Sequence, residues 1–144
     1  MKPKEFIDHL DDDKIVAAIA AAERNTSGEI RVYVSHRHRE DALSAAKARF
    51  AKLGMRRTRH RNAVLIYFAP LTRKFALWAD TGAHEKCGDQ FWGQTAGQMT
   101  AMLKQGRFTE AVVAAVQLVG EALARHFPRE PGDKNELPDG VERG

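Results

Sequence analysis

Between Arg61 and Asp80 the chain reads RNAVLIYFAPLTRKFALWAD, an apolar run and an alternating run separated by a Pro-containing turn. This pattern predicts a β-hairpin. An antiparallel return sets the end of the second strand beside the start of the first, so Asp80 is expected near Arg61 and Asn62. The first run, Ala63 to Ala69, is apolar almost without interruption, which predicts a central strand covered on both faces. In the second, Phe75, Leu77 and Ala79 share one face, while Lys74, Ala76, Trp78 and Asp80 share the other.

The preceding segment supplies the rest of a βαβ unit. Asp12 or Asp13 is expected to cap a first helix carrying Ile15, Ile19 and Ala22 on one face and ending near Asn25. After a turn at Thr26, Ser27 and Gly28, the alternation of Ile30, Val32 and Val34 with Glu29, Arg31 and Tyr33 predicts a strand with one buried face. A second helix runs from about Asp41 with Leu43, Ala46, Phe50 and Leu53 on one stripe, and Gly54 suits a left-handed C-cap. Beyond the hairpin, a loop with Gly82 and Gly88 leads to Asp89 as the cap of a helix marked by Trp92, Ala96, Met99 and Leu103. A last helix from Phe108 ends before Pro128. The expected fold is α/β, a small mixed sheet built from a right-handed crossover plus an antiparallel hairpin strand, sandwiched by about four helices. Residues 1–127 form one domain, and 128–144 read as a polar Pro- and Gly-rich tail.

A chain of 144 residues suits one domain without a staple, and the single cysteine, Cys87, excludes an intrachain disulfide. No apolar run approaches the ~20 residues of a membrane span, and the first ten residues lack the apolar stretch of a secretory signal, so a cytosolic location is expected. The net charge of +4 is unevenly spread: from Ala42 to Ala79 nine Lys and Arg residues occur with no Asp or Glu. Such a block attracts phosphates or acidic partners. Without an aromatic ladder for base stacking it does not point to nucleic acid.

The predicted topology gathers Glu29, Arg61, Asn62 and Asp80 at one sheet edge. Glu29 and Asp80 are the candidate ligands of calcium or another divalent cation, and Arg61, Asn62 and Thr58 the candidate ligand-binding groups for a phosphate. A second candidate edge collects Asp11, Asp12 and Asp13, His36 and His38, and Asp41 at the carboxyl end of the parallel strands, where open α/β sheets bind ligands. Helix capping is the competing explanation for those acids. The basic run from Arg56 to Arg61 reads either as a phosphate grip or as a solvated connector. Cys87 reads as a simple free thiol, and Trp78, Phe91 and Trp92 as core or groove wall.

Three stretches taken together, SGEIRV at Ser27 to Val32, LGMRRTRHRN at Leu53 to Asn62 and ADTGAHEKCGDQFW at Ala79 to Trp92, resemble the TPM domain family in its short bacterial form. NELPD at Asn135 to Asp139, after His126 to Pro128, resembles the same group. The resemblance implies an α/β sandwich with a small central sheet. It also implies relatives in the thylakoid lumen linked to photosystem repair, with acid phosphatase activity and calcium binding described, and a membrane-anchored relative that modulates a receptor. Glu29, Thr58, Arg61, Asn62, Asp80, His84 and Trp92 stand where those motifs have the same residue types. Ala63, Ala79 and Ala83 stand where the motifs imply Gly, Gly and Ile, and lost glycines restrict close backbone approach.

No complete catalytic motif is present, so enzyme and binding module both stay open. The leading expectation is a binding or accessory module with an acidic sheet edge able to hold calcium. A metal-assisted phosphatase using Asp80, Glu29 and Arg61 is the alternative. An interaction protein using the basic loop is the third. The expected partner is an unidentified protein or a small phosphate-containing ligand.

Overall fold

The computed structural model describes residues 6, 8, 10–129 and 141–144. Helix α1 (Asp12–Glu23) leads to β1 (Glu29–Val34), α2 (Ala42–Lys52) and a 3-10 turn (Met55–Arg57). The hairpin follows as β2 (Ala63–Ala69), a 3-10 turn (Pro70–Thr72) and β3 (Lys74–Ala79). Three helices, α3 (Thr81–Cys87), α4 (Asp89–Lys104) and α5 (Phe108–His126), precede a short β4 (Val141–Arg143).

The sheet order is β3-β2-β1-β4. β1 runs parallel to β2, with Glu29 opposite Ala63, and β3 returns antiparallel, with Val64 opposite Ala79. The expected mixed sheet is therefore present, with helices on both sides. Ile30, Val32, Val34, Val64, Ile66 and Phe68 face α1, α4 and α5 in the larger core, and each such side chain contributes roughly 1.5–3 kcal/mol by leaving water. Tyr33, Ala63, Leu65, Tyr67 and Ala76 face α2 through Ala42, Ala46 and Phe50. Tyr33 and Tyr67 stack across the β1–β2 ladder at 5.3 Å, and the guanidinium of Arg49 sits 4.6 Å above the Tyr33 ring.

Five readings of the sequence are corrected. The cap of α1 is Asp11, whose carboxylate accepts from the Lys14 amide at 3.2 Å, so Asp12 and Asp13 belong to the first turn. β1 is buried on both faces: Ile30, Val32 and Val34 lie in the larger core, Glu29, Arg31 and Tyr33 are buried on the other side, and β4 pairs along its outer edge. Leu43 lies off the buried stripe of α2 and is 53% exposed. The segment after β3 is a helix, α3, with Asp80 as its N-cap, and Asp89 is the first residue of α4. Finally, the span assigned to the polar tail includes β4, whose Val141 stands opposite Val32. NELPD at 135–139 falls outside the described residues.

Gly54 takes φ 73° directly after α2, the left-handed position its sequence predicted.

Candidate functional site

The hairpin brings Asp80 back to Arg61. Arg61 donates from Nε to Asp80 Oδ2 at 2.6 Å and from Nη2 to Oδ1 at 2.8 Å, a two-bond fork across 19 positions of sequence. The Asp80 side chain is 4% exposed and that of Arg61 46%, so a buried carboxylate is held by a guanidinium that still reaches solvent. Asp80 Oδ1 also accepts from the Thr81 amide at 2.8 Å. The hydrogen bonds to Asp80 raise the Arg61 pKa above its already high usual value.

The loop before β2 is built to present Arg61. Arg61 has φ 51°, a conformation that side chains rarely adopt, and three backbone contacts hold it there. Its amide donates to the Thr58 carbonyl at 3.2 Å, and its own carbonyl accepts from Gly82 and Ala83. Thr58 is buried, and its hydroxyl accepts from the Asn62 amide at 3.2 Å. Asn62 is buried as well, its Nδ2 donating to Ser27 Oγ at 3.2 Å. Both candidate ligand-binding side chains therefore face inward and shape the turn. Glu29 is buried at the start of β1, on the α2 face, in the same row of the sheet as Ala63 and Asp80.

Around the exposed side of Arg61 lies a cavity of about 200 Å³ that the sequence alone does not disclose. Lys47 and Phe50 come to it from α2, Arg56 from the 3-10 turn, and Trp78 and Thr81 from either side of Asp80. The ammonium of Lys47 is 5.7 Å from the centre of the Trp78 ring, a cation–π placement. Three cations meet one carboxylate here, and that carboxylate already belongs to Arg61. The available signal for Lys47 is its spacing of four from Leu43, which puts both on one face of α2.

The other candidates separate from this site. Asp41 caps α2, accepting from the amide and hydroxyl of Ser44 at 3.0 and 2.9 Å, and the Ser44 amide bond holds its carboxyl below the usual range. Asp12 pairs with Arg143 of β4 at 2.6 Å. His38 pairs with Glu40 and His84 with Asp89, all on the surface. Burial pushes the Cys87 thiol up, away from nucleophilic readiness. Among the described residues no three His, Cys, Asp or Glu side chains cluster as metal ligands, and no helix is long and apolar enough to cross a membrane.

A family model described as the TPM domain matches residues 1–122. The NMR structure of the BA42 protein from the psychrophilic bacterium Bizionia argentinensis is similar, at 36% identity and a TM-score of 0.87, over 94% of this chain and 96% of that one. No curated protein matches the chain.

Proposed function

Because the chain belongs to the TPM domain family, whose fold alone does not specify a ligand, we propose from the site itself that it is a binding module for a small anionic group. The ligand sits in the cavity at Lys47, Arg56 and Arg61, against Trp78. The observation that carries this reading is the charge count: three cations line the cavity, and its only carboxylate among the described residues, Asp80, is already matched by Arg61. Among the described residues neither Lys47 nor Arg56 has an ion-pair partner, so their charge is available to a ligand. Arg61, fixed by Asp80 below it, presents its remaining donors at low entropic cost.

Titration with inorganic phosphate, followed by amide resonances, tests this. Saturable shifts at Trp78 and Thr81, weakened by Lys47→Gln with Arg56→Gln and by added salt, are expected. Shifts that survive the double substitution would remove the cavity as the binding site.

A divalent cation at Glu29 and Asp80 is the second reading, supported by the two carboxylates sharing one face and one row of the sheet. Calcium takes about six to eight oxygens, more than this pair offers, and Asp80 would have to give up Arg61. The residues as arranged thus fit an anion better than a cation. Calorimetry with calcium on the parent and on Asp80→Ala separates the readings, since only the cation reading requires heat that disappears in the variant.

A further inference from the structure

β3 is the outer strand of the sheet, with β2 on one side and, among the described residues, no strand on the other. The Asp80 amide donates to the Ala63 carbonyl at 2.9 Å, which sets the phase of the ladder. Backbone groups of Ala76 and Trp78 then face β2, and those of Leu77 and Ala79 face outward. Along that open edge lies a groove of about 380 Å³, bordered by Leu77, Trp78 and Ala79 of the strand, by Leu43 of α2, by Trp92 of α4 and, on the α3 side, by Thr81, His84 and Glu85. Leu77 and Trp78 point to opposite faces of the sheet, yet both border the groove, so it follows the strand's rim. It runs into the basic cavity, because Trp78, Ala79 and Thr81 border both.

We propose that this edge takes an extended acidic segment of a partner protein as an added strand. Its backbone pairs with Leu77 and Ala79, its apolar side chains enter the groove between Leu43 and Trp92, and a carboxylate reaches Lys47 and Arg56. The last contact rests on the anion-binding reading above and gives its ligand a class. An unpaired backbone edge calls for a peptide, an apolar groove for alternate apolar side chains, and an excess of cations at one end for an acid there. A second copy of this chain is a poor occupant. Two β3 strands paired antiparallel about a two-fold axis would set Arg73 and Lys74 of each against the Arg61 end of the other, cations against cations.

Fluorescence anisotropy with a labelled peptide of β3's length, alternating Val and Thr with Glu at one end, tests the proposal on the parent protein. N-methylation of alternate amides in the phase facing β3 is expected to weaken binding about tenfold or more, and methylation in the other phase to change little. Lys in place of Glu is expected to abolish binding. Leu77→Pro removes one outward N–H and no ladder bond, so it is expected to lose the peptide with its circular dichroism unchanged. If that variant fails to fold, the methylated peptides on the parent protein still decide. Binding indifferent to both methylation phases overturns strand addition and leaves a phosphate-binding cavity standing. Backbone-dependent binding that is equally tight with Lys overturns the acidic partner, and failure of the phosphate titration then removes the cavity reading too. A dimer in sedimentation that Leu77→Pro converts to monomer overturns the proposal by making the occupant a second copy.

Discussion

The carbonyl oxygen of Arg61 lies 2.9 Å from the amide nitrogen of Gly82, so the first turn of α3 hangs from the same residue whose side chain holds Asp80. No side chain fits between them. A Cβ on Gly82 would strike the His60 carbonyl and come within 2.8 Å of the Arg61 carbonyl, both backbone atoms that cannot swing aside. Gly82→Ala is therefore expected to cost about 2 kcal/mol. Gly93, on the exposed side of α4, has nothing within 4 Å of the point an added methyl group would occupy, and Gly93→Ala is expected to gain roughly 0.5–1 kcal/mol from helix propensity. Urea unfolding of both variants checks the pair. Equal stabilities would mean that the approach of α3 to the loop is loose.

What can be read from the sequence follows the strength of its periodicities. The hairpin is legible because seven apolar residues, a turn and an alternating run leave one economical arrangement, and that alone brings Arg61 to Asp80. α3 is not, because it buries only Ala83 and carries glycines at and next to its start and end, which read as loop signals. Asp80 is the overlooked cue, since an aspartate closing a strand can cap the helix that follows. β4 has three residues, too few for an alternation to register. The surroundings of Asp80 are legible only in part. Two carboxylates are expected at this edge, but Glu29 is buried and does not line the cavity, whereas Lys47 and Arg56 reach it from elements whose orientation no local pattern discloses.

Asp80 and Arg61 depend on each other unequally. Arg61→Ala leaves a buried carboxylate with the Thr81 amide but no counter-charge, which is a costly state. Asp80→Asn alone breaks the charged fork and is expected to lower the melting temperature. In the Arg61→Ala background the same change removes the stranded charge while keeping a side-chain oxygen for Thr81, so there it is expected to raise it. The sign reversal is the readout of a four-variant thermal series. Additive effects would mean that the two side chains are uncoupled.

β4 is fastened by side chains as well as by its ladder. Arg31 is buried, and its guanidinium meets Glu142 at 2.5 Å, while the Gly144 amide donates to the Val34 carbonyl at 3.0 Å. Glu142→Ala leaves the Arg31 charge without this partner under the strand. Faster amide hydrogen exchange is expected at Gly144, with exchange in β2 unchanged. Unaltered exchange at Gly144 would show that backbone pairing alone holds the strand.

Asp41 supplies a pH signature with a definite sign. The Ser44 amide and hydroxyl favour its charged form, so its folded pKa is depressed below that of the unfolded chain. The stabilisation is complete above the unfolded value, about 3.9, and is lost as pH falls through the folded one. Asp41→Asn keeps an N-cap oxygen but cannot ionise. The melting temperature of the parent is expected to exceed that of the variant slightly at pH 7, with the gap closing below about pH 4. A gap constant down to pH 2 would assign the advantage to hydrogen-bond geometry and remove the charge from the explanation.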